Sequence, residues 1–384
     1  MEILMTPKER MLCAYRGIAA DRFAVAPEFW YYYPAKLLGV DMIQFSREVP
    51  FHIALKKTFE HFGCDGWGIT WGGAPNPNVT WSGKEVWRDA DTLEGITTIE
   101  TPLGTLQSRS LQPRHEPGWA LEHWMKDPIK DSPAWEMMAF GGDFSAFDPA
   151  GMNTAREEVG ESYLLEPCIG VPFFDTWSGG REGSFEQGIF DFLNPELRPM
   201  LERLKERHTD YLVRLARTLC EKTAFESFFI GCSWSCNSLI GPDLWRQWDK
   251  PGLKAVADEV HRHGKLLHVH IHGKCMETVA DMAEIGLDCV CPFERGPGPG
   301  GDVNGRAELQ EVERLLRGRT AMNGNVHTVE TLIRGTPETV RREVREIKEV
   351  FADNPRVIIG TGDQVGRETP EENLWAMIDE AKKQ

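Results

Sequence analysis

The chain has 384 residues, enough for two average domains or for one elaborated α/β barrel, so length alone does not divide it. Its 43 Lys and Arg against 59 Asp and Glu leave a formal charge of -16 without a basic stripe, which argues against nucleic acid or an anionic membrane as the main partner. No apolar run approaches a membrane span, the charged opening "MEILMTPKERMLCAYRG" lacks a secretory h-region, and nine cysteines look like reduced thiols; the expectation is a cytoplasmic protein.

In chain order, the first predicted strand lies in "DRFAVAPEFW". Residues 66–160, rich in Trp, Gly and Pro, break any regular rhythm and are expected to be an insertion of short strands and loops over one barrel mouth. From about residue 160 two textures alternate. Short β-prone runs ("SYLLEPCIG", "FESFFIGCSW", "KLLHVHIHG", "LDCVCPFE", "TAMNGNV", "RVIIGTGD") are separated by amphipathic, charged segments such as "TPETVRREVREIKEVFAD". This repeated strand-helix texture predicts an α/β protein, a (β/α)8 TIM barrel forming one domain over 1–384. A doubly wound sheet is the alternative, but no glycine-rich phosphate fingerprint follows an early strand. The cluster "RGPGPGGDVNG" is expected to be a flexible loop after a strand.

In a barrel, side chains at the C-terminal strand ends assemble the chemistry. Those ends are predicted to carry Cys232, Asn237, His270, His272, Glu294, Asn323, Asn325 and Asp363. In "LLHVHIHGKC", His268, His270 and His272 share one strand face, with Val269 and Ile271 on the other. His270 and His272 can share one ion, and Glu294 and Asp363 would add two carboxylates, a set suited to Zn2+ or another divalent first-row metal. The plainer reading of such a face is a hydrogen-bonded polar layer. His268, one step deeper, is expected to be packed or to support a ligand. Cys289 and Cys291 are read mainly as small buried hydrophobes.

Several blocks, in order, resemble the uroporphyrinogen decarboxylase superfamily: "MTPKERMLCAYRG…DRFAVAP", "HRHGKLLHVHIHGKC", "MAEIGLDCVCPFE", "MNGNVHTVETLIRGTPETVRREV" and "VIIGTGDQVGRETPEENLWAMI". The resemblance implies a (β/α)8 barrel. One branch, the porphyrinogen decarboxylases, is marked by an arginine-rich N-terminal segment; "VAPEFWYYYPAKL" offers an acid and aromatics there instead. The other branch holds zinc-dependent methyltransferases that act with corrinoid proteins, their zinc held by a His-x-Cys pair, a glutamate and a later cysteine. His270 falls on that histidine, His272 on the first cysteine, Glu294 on the glutamate and Asp363 on the second cysteine.

Exchange of both thiolates leaves harder ligands and a metal more Lewis-acidic toward oxygen. The resemblance therefore implies a metal-dependent methyltransferase moving a methyl group from a small O-methyl or N-methyl compound to a corrinoid carried by a partner protein, as in O-demethylation. Trp30, Tyr31 and Trp234 are expected as substrate walls, with Glu28, Asn237 and Asn323 as polar groups around it. The competing readings are a metal-independent decarboxylase, which calls for several arginines at the mouth, and a binding protein that kept only the barrel.

Overall fold

The computed structural model describes residues 5–296 and 300–383. Twelve strands are present among them. They run β1 (Ala24–Ala26), β2 (Trp67–Thr70), β3 (Thr80–Trp87), β4 (Thr92–Thr101), β5 (Gly104–Pro113), β6 (Trp119–Glu122), β7 (Leu164–Gly170), β8 (Ser227–Cys232), β9 (Leu266–Ile271), β10 (Cys289–Phe293), β11 (Ala321–Val326) and β12 (Val357–Thr361). Eight are parallel, in the order β1-β12-β11-β10-β9-β8-β7-β2, and the other four form an antiparallel sheet, β3-β4-β5-β6. Helices on the outside connect successive parallel strands, giving the expected TIM-type α/β barrel.

Backbone pairing closes seven seams, and side chains bridge the eighth, between β1 and β2. There the fully buried Asp65, two residues before β2, accepts the Val25 N–H at 2.9 Å and bonds to Arg22 at 2.5 Å and Arg10 at 3.1 Å. Arg10 belongs to the helix Pro7–Arg16, whose Met11 and Tyr15 pack into the barrel interior beside Ala24, Trp67 and Cys289. A capping box starts that helix, with Thr6 and Glu9 satisfying each other's backbone N–H groups.

Strand alternation separates two cores. Val269 and Ile271 join the large outer cluster under the helices. His268 and His270 turn inward, against Trp67 and Phe229. The outer helices bury one stripe each; in Pro337–Val350 it is Val340, Val344 and Ile347, at helical spacing.

Residues 66–160 need correcting. They contain a barrel strand, β2, then a four-stranded sheet with two ten-residue strands, and the helices Pro128–Phe140 and Ala150–Val159. The β5–β6 turn leans on loops that follow β1 and β12: Arg114 pairs with Asp41 at 2.7 Å, and Arg367 donates to the His115 carbonyl at 2.8 Å. It thus reaches the barrel end where the parallel strands finish.

Of the loop expected to be flexible, residues 297–299 lie outside the described residues. Its later part is anchored, with Asp302 accepting the Cys275 N–H at 2.9 Å and Val303 fully buried. Among the described residues no helix is long and apolar enough to cross a membrane.

Candidate metal centre

Four strand ends supply the site. Glu28 lies two residues past β1, His272 and Glu294 directly follow β9 and β10, and Asp363 lies two past β12. Adjacency of β1 and β12 brings the first and last together: the Glu28 N–H donates to Thr361 Oγ1 at 3.0 Å, and the Val365 N–H donates to the Glu28 carbonyl at 2.9 Å. Glu28, Trp30, Tyr31, His270, His272 and Asp363 line one cleft of about 290 Å3, with no Lys or Arg in its wall among the described residues. The Trp30 indole N–H donates to Glu28, and its ring meets Trp67 edge-on at 5.7 Å, forming an aromatic wall beside His270.

His270 and His272 face each other through Nε2 at 2.7 Å. Glu294 Oε1 accepts from the Gly273 N–H at 2.6 Å and lies 3.2 Å from His272 Nδ1, which is therefore a protonated nitrogen. At 2.7 Å the two Nε2 atoms share one hydrogen bond, with a proton on one and a lone pair on the other. A cation bound by both would take that proton's place. The donor set fits a divalent cation: nitrogens from His270 and His272, with Asp363 and Glu28 carboxylates in the same cleft. One donor atom each from Glu28, His270 and Cys291 also come within 4.8 Å of one another.

Burial, reinforced by the Asp363 charge, pushes the Glu28 carboxyl up to about 8, and burial also raises Asp363. For His272 burial pulls downward, but the Glu294 hydrogen bond and the charges of Asp363, Glu28 and Glu294 outweigh it and lift the imidazole to about 9. His270 goes the other way, held well below the usual range by burial and by the neighbouring imidazoles of His272 and His268. Without a metal the cluster thus retains protons on Glu28 and His272, which a bound cation would displace.

Of the other residues expected here, several stand apart from the cleft wall. Trp234 packs against Phe185 with ring centroids 6.2 Å apart. Its loop is fixed by Asp175, which accepts the N–H groups of Ser233, Trp234 and Ser235 at 2.9, 2.9 and 2.7 Å, and Ser233 is the residue of that loop that reaches the cleft. Asn237 opens the helix Asn237–Trp248 and, among the described residues, donates to Glu277 at 3.4 Å. Asn323 is buried on β11, its Nδ2 without a partner among the described residues. Asn325 has a structural place, bonding to Arg295 at 3.0 Å and to the Val303 carbonyl at 3.1 Å, and Cys232 is fully buried.

Glu294 meets the cluster through the outer nitrogen of His272, while Glu28 lies 3.9 Å from His270 Nδ1. Cys291, read as a small buried hydrophobe, is buried in the inner cluster, and its sulfur also lies 3.2 Å from His270 Nδ1. Inward alternation shared with His270 was the signal for it: the two are register partners on β10 and β9.

Residues 196–384 match the uroporphyrinogen decarboxylase (URO-D) family model. All four expected metal positions, His270, His272, Glu294 and Asp363, lie inside that span; Glu28, expected at the substrate, and the chain's opening block lie outside it. Over its whole length the fold is similar to that of a methyltransferase from Methanosarcina mazei, with a TM-score of 0.65, 16% identity, and 98% of each chain covered. An intracellular xylanase of Thermoanaerobacterium saccharolyticum gives a TM-score of 0.31 at 10% identity, covering 58% of this chain and 72% of its own. No curated protein matches the chain. Residues 196–384 are thus similar to the uroporphyrinogen decarboxylase family, on a barrel fold that the whole chain has in common with the Methanosarcina protein.

Proposed function

We propose that this protein is a metal-dependent methyltransferase that transfers a methyl group from a small O-methyl or N-methyl compound to a corrinoid carried by a separate protein. The observation that carries the reading is the pair of imidazoles facing through Nε2 at 2.7 Å in a carboxylate-rich cleft. The Methanosarcina protein of similar fold is itself a methyltransferase, which agrees with it. His270, His272 and Asp363 would hold the cation, with Glu28 or Glu294 completing or supporting the set. A divalent cation bound there supplies Lewis acidity toward the heteroatom that loses its methyl group.

The chain's own groups do the remaining work. Trp30 and Tyr31 offer flat apolar surface to a methylated, aromatic donor, and Trp30 is held in place by its bond to Glu28. Phe229 gives the cleft wall an apolar face beside the imidazoles. The clustered carboxylates disfavour an anionic substrate, and the cleft wall lacks the arginines that a polycarboxylate would need.

The test mixes purified protein, Zn2+ and cob(I)alamin with a panel of O-methyl and N-methyl compounds and follows the Co(I) absorption. Loss of that absorption with at least one compound, dependent on His272, is the expected result. No loss with any compound, with or without Zn2+, contradicts the reading.

A further inference from the structure

Beneath the cleft the barrel interior holds a line of polar side chains that the proposed chemistry does not touch. Glu166 on β7, Ser227 on β8 and His268 on β9 are each 0% exposed. Ser227 Oγ–H donates to Glu166 Oε1 at 2.5 Å, and Glu166 Oε2 lies 2.9 Å from His268 Nδ1. On the far side of that ring, His268 Nε2 lies 3.0 Å from Cys291 Sγ, and the same sulfur lies 3.2 Å from His270 Nδ1. The register that pairs Cys291 with His270 and Cys289 with His268 sets the thiol between the two imidazoles.

Donor and acceptor capacity gives this line a direction. A carboxylate only accepts, so His268 donates through Nδ1 and is left with an accepting Nε2. The Tyr15 hydroxyl, 3.0 Å from the same Nδ1, competes with a charged acceptor and loses. The Cys291 S–H then donates to His268 Nε2, which frees the sulfur to accept from His270 Nδ1–H. His270 is thereby left with its lone pair on Nε2, the atom that faces His272.

We propose that Glu166, His268 and Cys291 are positioning residues, a one-way hydrogen-bond line that locks His270 in the tautomer whose Nε2 can bind a cation. Glu294 does the equivalent for His272 in a single step. The inference rests on the metal-centre reading. Cys291 acts through its hydrogen bonds and is not itself a ligand, although its sulfur lies close to Glu28 and His270. Supporting groups of this kind typically change metal affinity by about 10–100-fold when removed.

Two measurements test it. In metal-free wild-type protein with 15N-labelled histidine, long-range 1H–15N spectra read the His270 tautomer, and Nδ1–H is expected; a protonated Nε2 with a bare Nδ1 overturns the proposal. Co2+ affinity is then measured by chelator competition. Cys291→Ala is expected to weaken Co2+ about 10–100-fold, whereas Cys291→Ser, which keeps a donor and an acceptor, stays within about threefold of wild type. Unchanged affinity in Cys291→Ala overturns the positioning role, and a thiolate-to-Co2+ charge-transfer band in wild type overturns it by making Cys291 a ligand. Wild-type protein that binds no Co2+ fails differently, removing the metal-centre reading and this inference with it.

Discussion

The two ends of the barrel use the same residue types to opposite effect. At the end plugged by the helix Pro7–Arg16, the buried Asp65 is matched by two guanidiniums and a backbone N–H, and its charge is spent inside the chain. At the mouth Glu28, Glu294 and Asp363 gather around two imidazoles in a cleft wall without Lys or Arg, and Glu28 is pushed up to about 8. A satisfied buried charge closes a seam; an unsatisfied cluster leaves work for a ligand. The difference marks which end is structural and which is a site more clearly than any single motif does.

The largest expected effect falls at the satisfied end. Asp65→Ala strands Arg10 and Arg22 beside an open seam and is expected to cost about 3–5 kcal/mol of stability in denaturant unfolding, while the folded fraction keeps its metal affinity. Loss of less than about 1 kcal/mol would show that the seam closes without it. At the mouth, ligand should do what the chain does not. Zn2+ at about 100 times its dissociation constant is expected to add about 2.7 kcal/mol to wild type and nothing to His270→Ala, and chelation should reverse it.

A pH series sharpens the comparison further. Glu28 goes from its usual 4.5 to about 8 on folding, so between those values the folded chain keeps a proton that the unfolded chain has lost, and stability falls as pH rises. His272, lifted from 6.5 to about 9, acts in the same direction: its contribution is complete below 6.5 and is lost toward 9. Metal-free protein is therefore expected to lose stability from pH 6 to 8, and Glu28→Gln to remove about 1–3 kcal/mol of that slope. A wild-type slope unchanged in Glu28→Gln would return its carboxyl to the ordinary range. The smallest effect is expected at Asn237, whose one side-chain bond is long; Asn237→Ala should shift stability by less than about 0.5 kcal/mol and leave Zn2+ affinity unchanged.

Most of the barrel was legible because periodicity and turn residues act locally. The runs expected near 162, 226, 265, 287, 319 and 356 begin at Leu164, Ser227, Leu266, Cys289, Ala321 and Val357. β2 was not legible: four residues inside a Trp- and Gly-rich stretch carry too short a pattern, and its pairing partner β7 lies almost a hundred residues on. The antiparallel sheet was hidden for another reason, since every residue of its edge strand β3 is exposed and shows no clean alternation of apolar and polar.

At the site, His270 and His272 were legible from the two-residue spacing that puts both on one strand face. The places of Glu28, beside His270 through the β1–β12 seam, and of Cys291, opposite it through β9–β10 register, depend on pairings between distant segments. Local pattern does not contain that information. Trp234 was expected as a substrate wall and Asn237 as a polar group beside it, but the Asp175 cap on that loop settles which side chain reaches the cleft.

The central claim is that two inward imidazoles, each held by its Nδ1, meet through Nε2 to hold one divalent cation. Metal analysis after dialysis against limiting Zn2+ tests it most directly, comparing wild type with His270→Ala and His272→Ala at neutral pH. The account predicts one Zn2+ per wild-type chain and none in either variant. Full occupancy in either variant, or none in wild type, would contradict it.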